Sequence, residues 1–348
     1  MDRRQLLQHS ARLAALGLTA RAIPLPAQAP AGAAGGAARP AAAPVMRGTT
    51  LVLLGTQGGP GLNLTRGEGA NAVVVDGVPY LVDCGYGTLR ALIQAGIRLV
   101  DVGSVCLTHL HNDHTSDVAA LLSHQWTGSK RQPTVVHGPF GTEALVAGAI
   151  AFFRGDTEIR IVDEGRTVRP EAIFSGRDVA ATATPVEVFT DERVRVTAIE
   201  NDHFPERAKA RMPYRSLAYR VDTATRSIVF SGDTAPSQRL VELSRNAHVF
   251  VCEAMDVAQH ARLAEQARQA IAAGNENSVA RHVAETHSTT EDVGKMAAAA
   301  RVKTVVLSHL LPGSNAAQGS ELPETAYIEA VRRHFDGQVV VGRDGMRL

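Results

Sequence analysis

The sequence predicts a layered α/β fold, with sheets carrying helices on their outer faces. Three observations predict it. The chain has 348 residues, 45% of them hydrophobic and 20% charged, so it can bury a sizeable core. From residue 49 onward, short β-rich runs alternate with helical stretches throughout instead of being segregated. Several of the apolar runs end directly in histidine or aspartate, which places polar chemistry on the loops where strands leave a sheet.

In chain order, residues 1–29 read as an export leader. Arg3-Arg4-Gln5-Leu6-Leu7 is followed by the short apolar stretch 13–20 and the small-x-small site Ala27-Gln28-Ala29, the features of a twin-arginine-type signal peptide. Residues 30–46, almost entirely Ala, Gly and Pro, have little to bury and read as a linker. The remainder, 47–348, is the expected catalytic-size domain. Strands are predicted at 50–54, 72–75, 80–83, 102–107, 134–136, 194–199, 216–221, 227–231, 249–252, 304–307 and 338–341. Helices are predicted at 89–95, 116–123, 142–152, 237–244, 257–273, 289–300 and 324–335.

Composition narrows the function classes. No apolar run approaches the length of a membrane span, so a soluble periplasmic or secreted protein is expected. The four arginines of the leader exceed its one aspartate by three, and with the whole chain at +1 the remainder stands at −2. That balance carries no basic nucleic-acid footprint. Cys84, Cys106 and Cys252 lie in apolar runs without CxxC spacing and read as reduced core residues.

The densest chemistry is His109-Leu-His111-Asn-Asp113-His114, directly after the strand 102–107. Imidazole and carboxylate are ligands of zinc and similar divalent ions, and alternate positions leaving a strand aim two imidazoles at one point. Burying so much polarity without partners is costly, so packing alone is a poor account of it.

This run resembles the HxHxDH signature of the metallo-β-lactamase superfamily, and the other ligand positions expected of that family occur in order. They are Asn201-Asp202-His203, Ser231-Gly232-Asp233-Thr234 and Ser308-His309, each at the end of a strand run. The resemblance implies an αββα sandwich, two mixed β-sheets flanked by helices. It implies that His109, His111 and His203 hold one metal, that Asp113, His114 and His309 hold the other, and that Asp233 bridges them. The implied cofactor is two zinc ions per chain, with manganese or iron as alternatives. Asp113 and His287 are the implied catalytic residues. Asp83, before Gly85, is either a turn residue or the aspartate that supports the ligand loop from behind.

Within the superfamily, β-lactamases proper lack the bridging aspartate, so Asp233 favours esters of phosphate, sulfate or carboxylate over β-lactams. Leu54-Gly55-Thr56, the stretch 81–88 and His287-Ser288-Thr289 resemble the ribonuclease Z and arylsulfatase branch. Ser288-Thr-Thr-Glu291 also reads as a capping box, setting His287 before a helix N-terminus whose dipole disfavours a protonated ring. Between His203 and Asp233 there is room for only two strands, not for the long arm with which many ribonuclease Z enzymes hold tRNA.

The expectation is therefore a dinuclear-zinc hydrolase of a small ester, aryl sulfate or phosphodiester first, with lactone or β-lactam hydrolysis as the alternative. A non-catalytic metal-binding protein is the competing class. The expected partner is a small-molecule ester and no nucleic acid, with a homodimer left open. Two positions have two readings each. Trp126 is either a stacking residue for an aromatic leaving group or a core anchor, and 257–285, opening with a helix at 257–273, is either a lid or pocket wall or a solvated surface segment.

Overall fold

Alternate residues of the first strand face two different cores, and that period of two builds the layers. Leu51 and Leu53 pack into a cluster between the sheets, whereas Val52 and Leu54 pack outward under helices. The structure, a computed structural model, describes residues 47–311 and 323–348. The expected leader and linker, residues 1–46, lie outside the described residues.

The first sheet runs in the order β1 (Thr49–Gly55), β2 (Ala70–Val75), β3 (Val78–Val82), β4 (Ser104–Cys106), β5 (Thr134–Gly138) and β6 (Phe174–Asp178). Its first two pairings are antiparallel and the other three parallel. The second sheet holds β7 (Val186–Thr190), β8 (Val194–Glu200), β9 (Leu217–Thr223), β10 (Ser227–Phe230), β11 (Val249–Met255), β12 (Thr304–Leu311) and β13 (Gln338–Val341), hydrogen-bonded in sequence order. It too joins an antiparallel half to a parallel one. Two mixed sheets face to face are the sandwich that the sequence implied.

Helices close the outer faces. Over the first sheet lie α1 (Thr88–Gln94), the single turn α2 (Asn112–Thr115), α3 (Val118–Thr127), α4 (Thr142–Phe152) and α5 (Arg154–Asp163). After the single turn α6 (Glu206–Lys209) come α7 (Gln238–Leu243), α8 (Val257–Ala272), α9 (Val279–Thr286), α10 (Thr290–Ala300) and α11 (Glu324–Arg332). Of these, α7, α10 and α11 bury Leu240, Val293 and Val331 against the second sheet. No helix among the described residues is long and apolar enough to cross a membrane.

The sequence reading lacks β6, β7, α5 and α9. The strand β6 reads Phe-Ser-Gly-Arg-Asp and sits at a sheet edge, where pairing with β5 decides its conformation more than its own composition does. Helix α9 packs against α8 and is tied to it by His260, whose Nε2 lies 2.8 Å from the Ala284 carbonyl oxygen. Cys84, Cys106 and Cys252 are buried and unbridged, as expected.

Candidate metal centre

The loop leaving β4 is held by one buried carboxylate. Asp83, just past β3 with φ at +65°, accepts from the Thr108 amide at 2.7 Å and from its hydroxyl at 3.0 Å. The same carboxylate lies 2.9 Å from Nδ1 of His114, which commits that nitrogen as donor and turns Nε2 into the site. Thr108 Oγ1 is also 3.1 Å from Nδ1 of His109, so Asp83 orients a second imidazole through the hydroxyl. Of the two readings of Asp83, the geometry favours support of the loop. The turn α2 then presents Asp113, whose Oδ2 accepts from the Gly59 amide at 3.0 Å.

Three further segments converge on this loop from the second sheet. His203 follows β8, its Nδ1 3.3 Å from the Thr286 carbonyl oxygen, and Asp233 follows β10. His309 lies within β12 at a bulge: Ser308 pairs with Glu253 and Leu310 with Ala254, leaving His309 unpaired with φ at +46°. The bulge aims His309 at the centre.

The structure thereby gathers every residue that the sequence nominated as a ligand, in two groups. His109, His111 and His203 form one, with His111 Nδ1 2.9 Å from His109 Nε2 and 3.3 Å from His203 Nε2. Asp113, His114, Asp233 and His309 form the other, with His309 Nε2 3.2 Å from Asp113 Oδ2. Asp233 faces both groups. Its Oδ1 is 3.3 Å from the Nε2 atoms of His114 and His309, and its Oδ2 is 3.8 Å from Nε2 of His109.

These side chains fit divalent cations. His114 Nε2 and Asp233 Oδ1 are buried without a hydrogen-bond partner despite facing one another, which is costly unless a further group lies between them. Burial holds His109 and His203 well below the ordinary imidazole range, as neutral ligands. Burial pushes Asp113 and Asp233 up, but His114 and His309 outweigh it and hold both carboxylates ionised. Two neutral imidazoles and two ionised carboxylates belong to the donor set of a zinc-type site, and those carboxylates also raise the pKa of His114 and His309 against the effect of burial, so positive charge is favoured where these rings meet.

His287 lies beside the second group, its ring stacked at 6.1 Å on that of His309. Two expectations about it need correction. The capping box consists of Thr289 and Asp292, one residue later than Ser288 and Glu291, because Ser288 donates its hydroxyl to the Thr234 carbonyl. Nor does the helix terminus set its charge. Burial lowers its pKa, but buried Glu253, 2.8 Å from Nδ1, with help from Asp233 and Asp113, outweighs burial and raises it to about 9.

Glu253 and His282 escaped the sequence reading. Glu253 ends the apolar run of β11, the same signal that marked the ligands, and could have been found by it. His282 carries no such signal. It sits on α9 with its ring 5.2 Å from that of His203, and burial lowers its pKa to about 4. Trp126 is the core anchor: it belongs to α3, is 3% exposed and donates to the Val168 carbonyl. His137 is buried against Phe189, away from both groups. The segment 257–285 divides: α8 buries only Ala267, whereas residues 276–282 form a wall beside His111.

A family model described as "Beta-lactamase superfamily domain" matches residues 79–310. Ribonuclease Z of Mycobacterium avium (strain 104) is 29% identical over 297 residues, covering 84% of this chain and 95% of that protein. Ribonuclease Z of Mycobacterium sp. (strain KMS) is 30% identical over 266 residues, covering 75% of this chain and 84% of that protein. Among solved structures, the short form of human tRNase Z shares the fold with a TM-score of 0.58 and 21% identity, covering 86% of this chain and 98% of that one. These relatives overturn the expectation that nucleic acid is excluded as a partner. The expectation rested on the expected leader, on the short stretch between His203 and Asp233 and on a net charge, and the last sums over the whole surface and is blind to cations placed locally, such as Arg207 and Arg211 beside His111.

Proposed function

Since the chain belongs to the metallo-β-lactamase superfamily, in its ribonuclease Z branch, and is a metal-dependent hydrolase of ester bonds, we propose that it cleaves phosphodiesters with two zinc ions. One ion would be held by His109, His111 and His203, and the other by Asp113, His114 and His309, with Asp233 available to both. The carrying observation is Asp233, which turns one oxygen to each group. A divalent pair bound there polarises the scissile phosphoryl group and lowers the pKa of a water, the chemistry suited to in-line attack.

The protein's own groups do the rest. Asp83 and Thr108 fix the rings of His114 and His109, and the Gly59 amide fixes Asp113. With Nδ1 committed to Glu253, His287 keeps Nε2 to hold a proton for the leaving alkoxide. Glu253 raises the affinity of that ring for its proton, so activity falls as pH rises through the pKa of His287. Glu253→Gln removes the carboxylate and moves the alkaline limb of the kcat/KM profile to lower pH, by about one to three pH units. An unmoved limb means that His287 is not the acid.

The reading is tested with zinc-loaded protein on a bis-aryl phosphodiester, an RNA oligonucleotide, an aryl sulfate, a lactone and a β-lactam, alongside metal analysis. Expected are about two zincs per chain, turnover of phosphodiesters above all others, and its loss on chelation. Cleavage of the sulfate or β-lactam alone sinks it. The twin-arginine-type leader supports export to the periplasm or beyond, which cell fractionation of a tagged full-length chain tests.

A further inference from the structure

A cleft of about 1010 Å³ opens beside the paired groups, and His111 belongs to both. One wall follows His203 and carries Phe204, Met212 and Tyr214; the other leads into α9 and carries Val279 and His282. The rim is apolar yet left in water, with Tyr214 44% and Val279 77% exposed. Phe140 extends it, its ring 6.0 Å from that of Tyr214. A second cavity among the described residues, beside His114 and Asp233, measures about 30 Å³, room for a water molecule and not for an ester substituent. Through His111, a phosphoryl group seated at the paired groups borders the cleft, which has room for its bulk.

Charge adds a second constraint. Of the two arginines on the cleft, Arg207 is paired with Glu285. Arg211 makes no ion pair and no side-chain hydrogen bond among the described residues and is exposed at the cleft.

We infer that this cleft is the subsite for one ester substituent of the substrate, that the substituent is a planar aromatic group, and that Arg211 takes an additional anion carried beyond it. The inference rests on the phosphodiesterase reading for its scissile group. Aromatic faces and a thioether favour a flat ring over an aliphatic chain, because ring–ring and sulfur–ring contacts add to simple burial. The volume accommodates a nucleotide-sized substituent. An aryl ring and a nucleobase share this chemistry.

Equilibrium binding to the zinc-loaded protein, by calorimetry, tests it without turnover. The probes are inorganic phosphate, methyl phosphate, phenyl phosphate, uridine monophosphate and a diuridine phosphate with a terminal phosphate. Phenyl phosphate and uridine monophosphate are expected to bind about tenfold or more tighter than methyl phosphate. Tyr214→Ala and Val279→Asp, both at exposed positions, shrink that ratio towards one. Arg211→Gln weakens the dinucleotide more than phenyl phosphate. Uridine monophosphate well above phenyl phosphate identifies a nucleobase site; the two equal identifies an aryl site. Equal binding of methyl and phenyl phosphate, or a ratio indifferent to Tyr214→Ala and Val279→Asp, overturns the inference. If the ratios hold and no phosphodiester is cleaved, the catalytic reading fails and the subsite stands.

Discussion

Asp233→Ala is expected to reduce bound zinc from about two ions per chain to one or fewer, and to lower kcat on the best phosphodiester by on the order of a thousandfold or more. Among the described residues, no other side chain faces both groups of ligands with separate oxygens. Its removal leaves His114 and His309 crowded at the centre without the charge that balances a second cation. Packing alone predicts a different outcome, because alanine here leaves only a small cavity. Asp233→Asn separates the two accounts, since it keeps the shape and drops the charge: a comparable loss of zinc and turnover assigns the effect to the carboxylate. Retention of two zincs with more than a tenth of the activity rules out the shared-ligand role. Metal analysis and steady-state kinetics on the same preparations give both readouts.

Gly85→Ala is expected to cost about 1–3 kcal/mol of stability and to weaken zinc binding about tenfold to a hundredfold, although residue 85 touches no ligand atom through a side chain. A Cβ at this position falls 2.1 Å from the Asp113 carbonyl oxygen and 2.8 Å from Cβ of Glu68. Neither neighbour is the far end of a flexible chain. The Cys84 amide donates to the His114 carbonyl at 2.8 Å, and the Asp117 amide donates back to Cys84. The ligand loop is therefore pinned to both the amide and the carbonyl of Cys84, the residue before Gly85, and the added methyl displaces the backbone that carries Asp113 and His114. Thermal melts in chelator read the stability cost, and zinc titration reads the affinity. If both match the wild type, the close approach of the two loops does not fix the ligands.

The correction on nucleic acid and the missed pairing of Glu253 with His287 share a cause. Each depends on where charges sit relative to one another, and composition reports only their sum. Glu253 and His287 are 34 residues apart in the chain and meet only because β11 ends where α9 gives way to α10. The edge strand β6 fails on different grounds: its residues are poor strand formers that take their conformation from the partner β5.

By itself the sequence determined the layered α/β class, because the alternation of buried strands and amphipathic helices is written locally in apolar periodicity. It also nominated seven residues, His109, His111, Asp113, His114, His203, Asp233 and His309, through the resemblance of the run 109–114 to a known ligand signature and of the other strand-end positions to the rest of that ligand set. The resemblance also implied how those residues divide into two groups; only the tertiary structure decided which way each ring turns and what stands beside them. Asp83 fixes ring orientation through hydrogen bonds across 25 and 31 residues, and a bulge in β12 aims His309. The pairing of Glu253 with His287, the place of His282 beside His203 and the cleft between residues 204–214 and 276–282 arise from contacts between distant segments. Such contacts have no local period for a sequence to display, and they set the charge, shape and reach of the site.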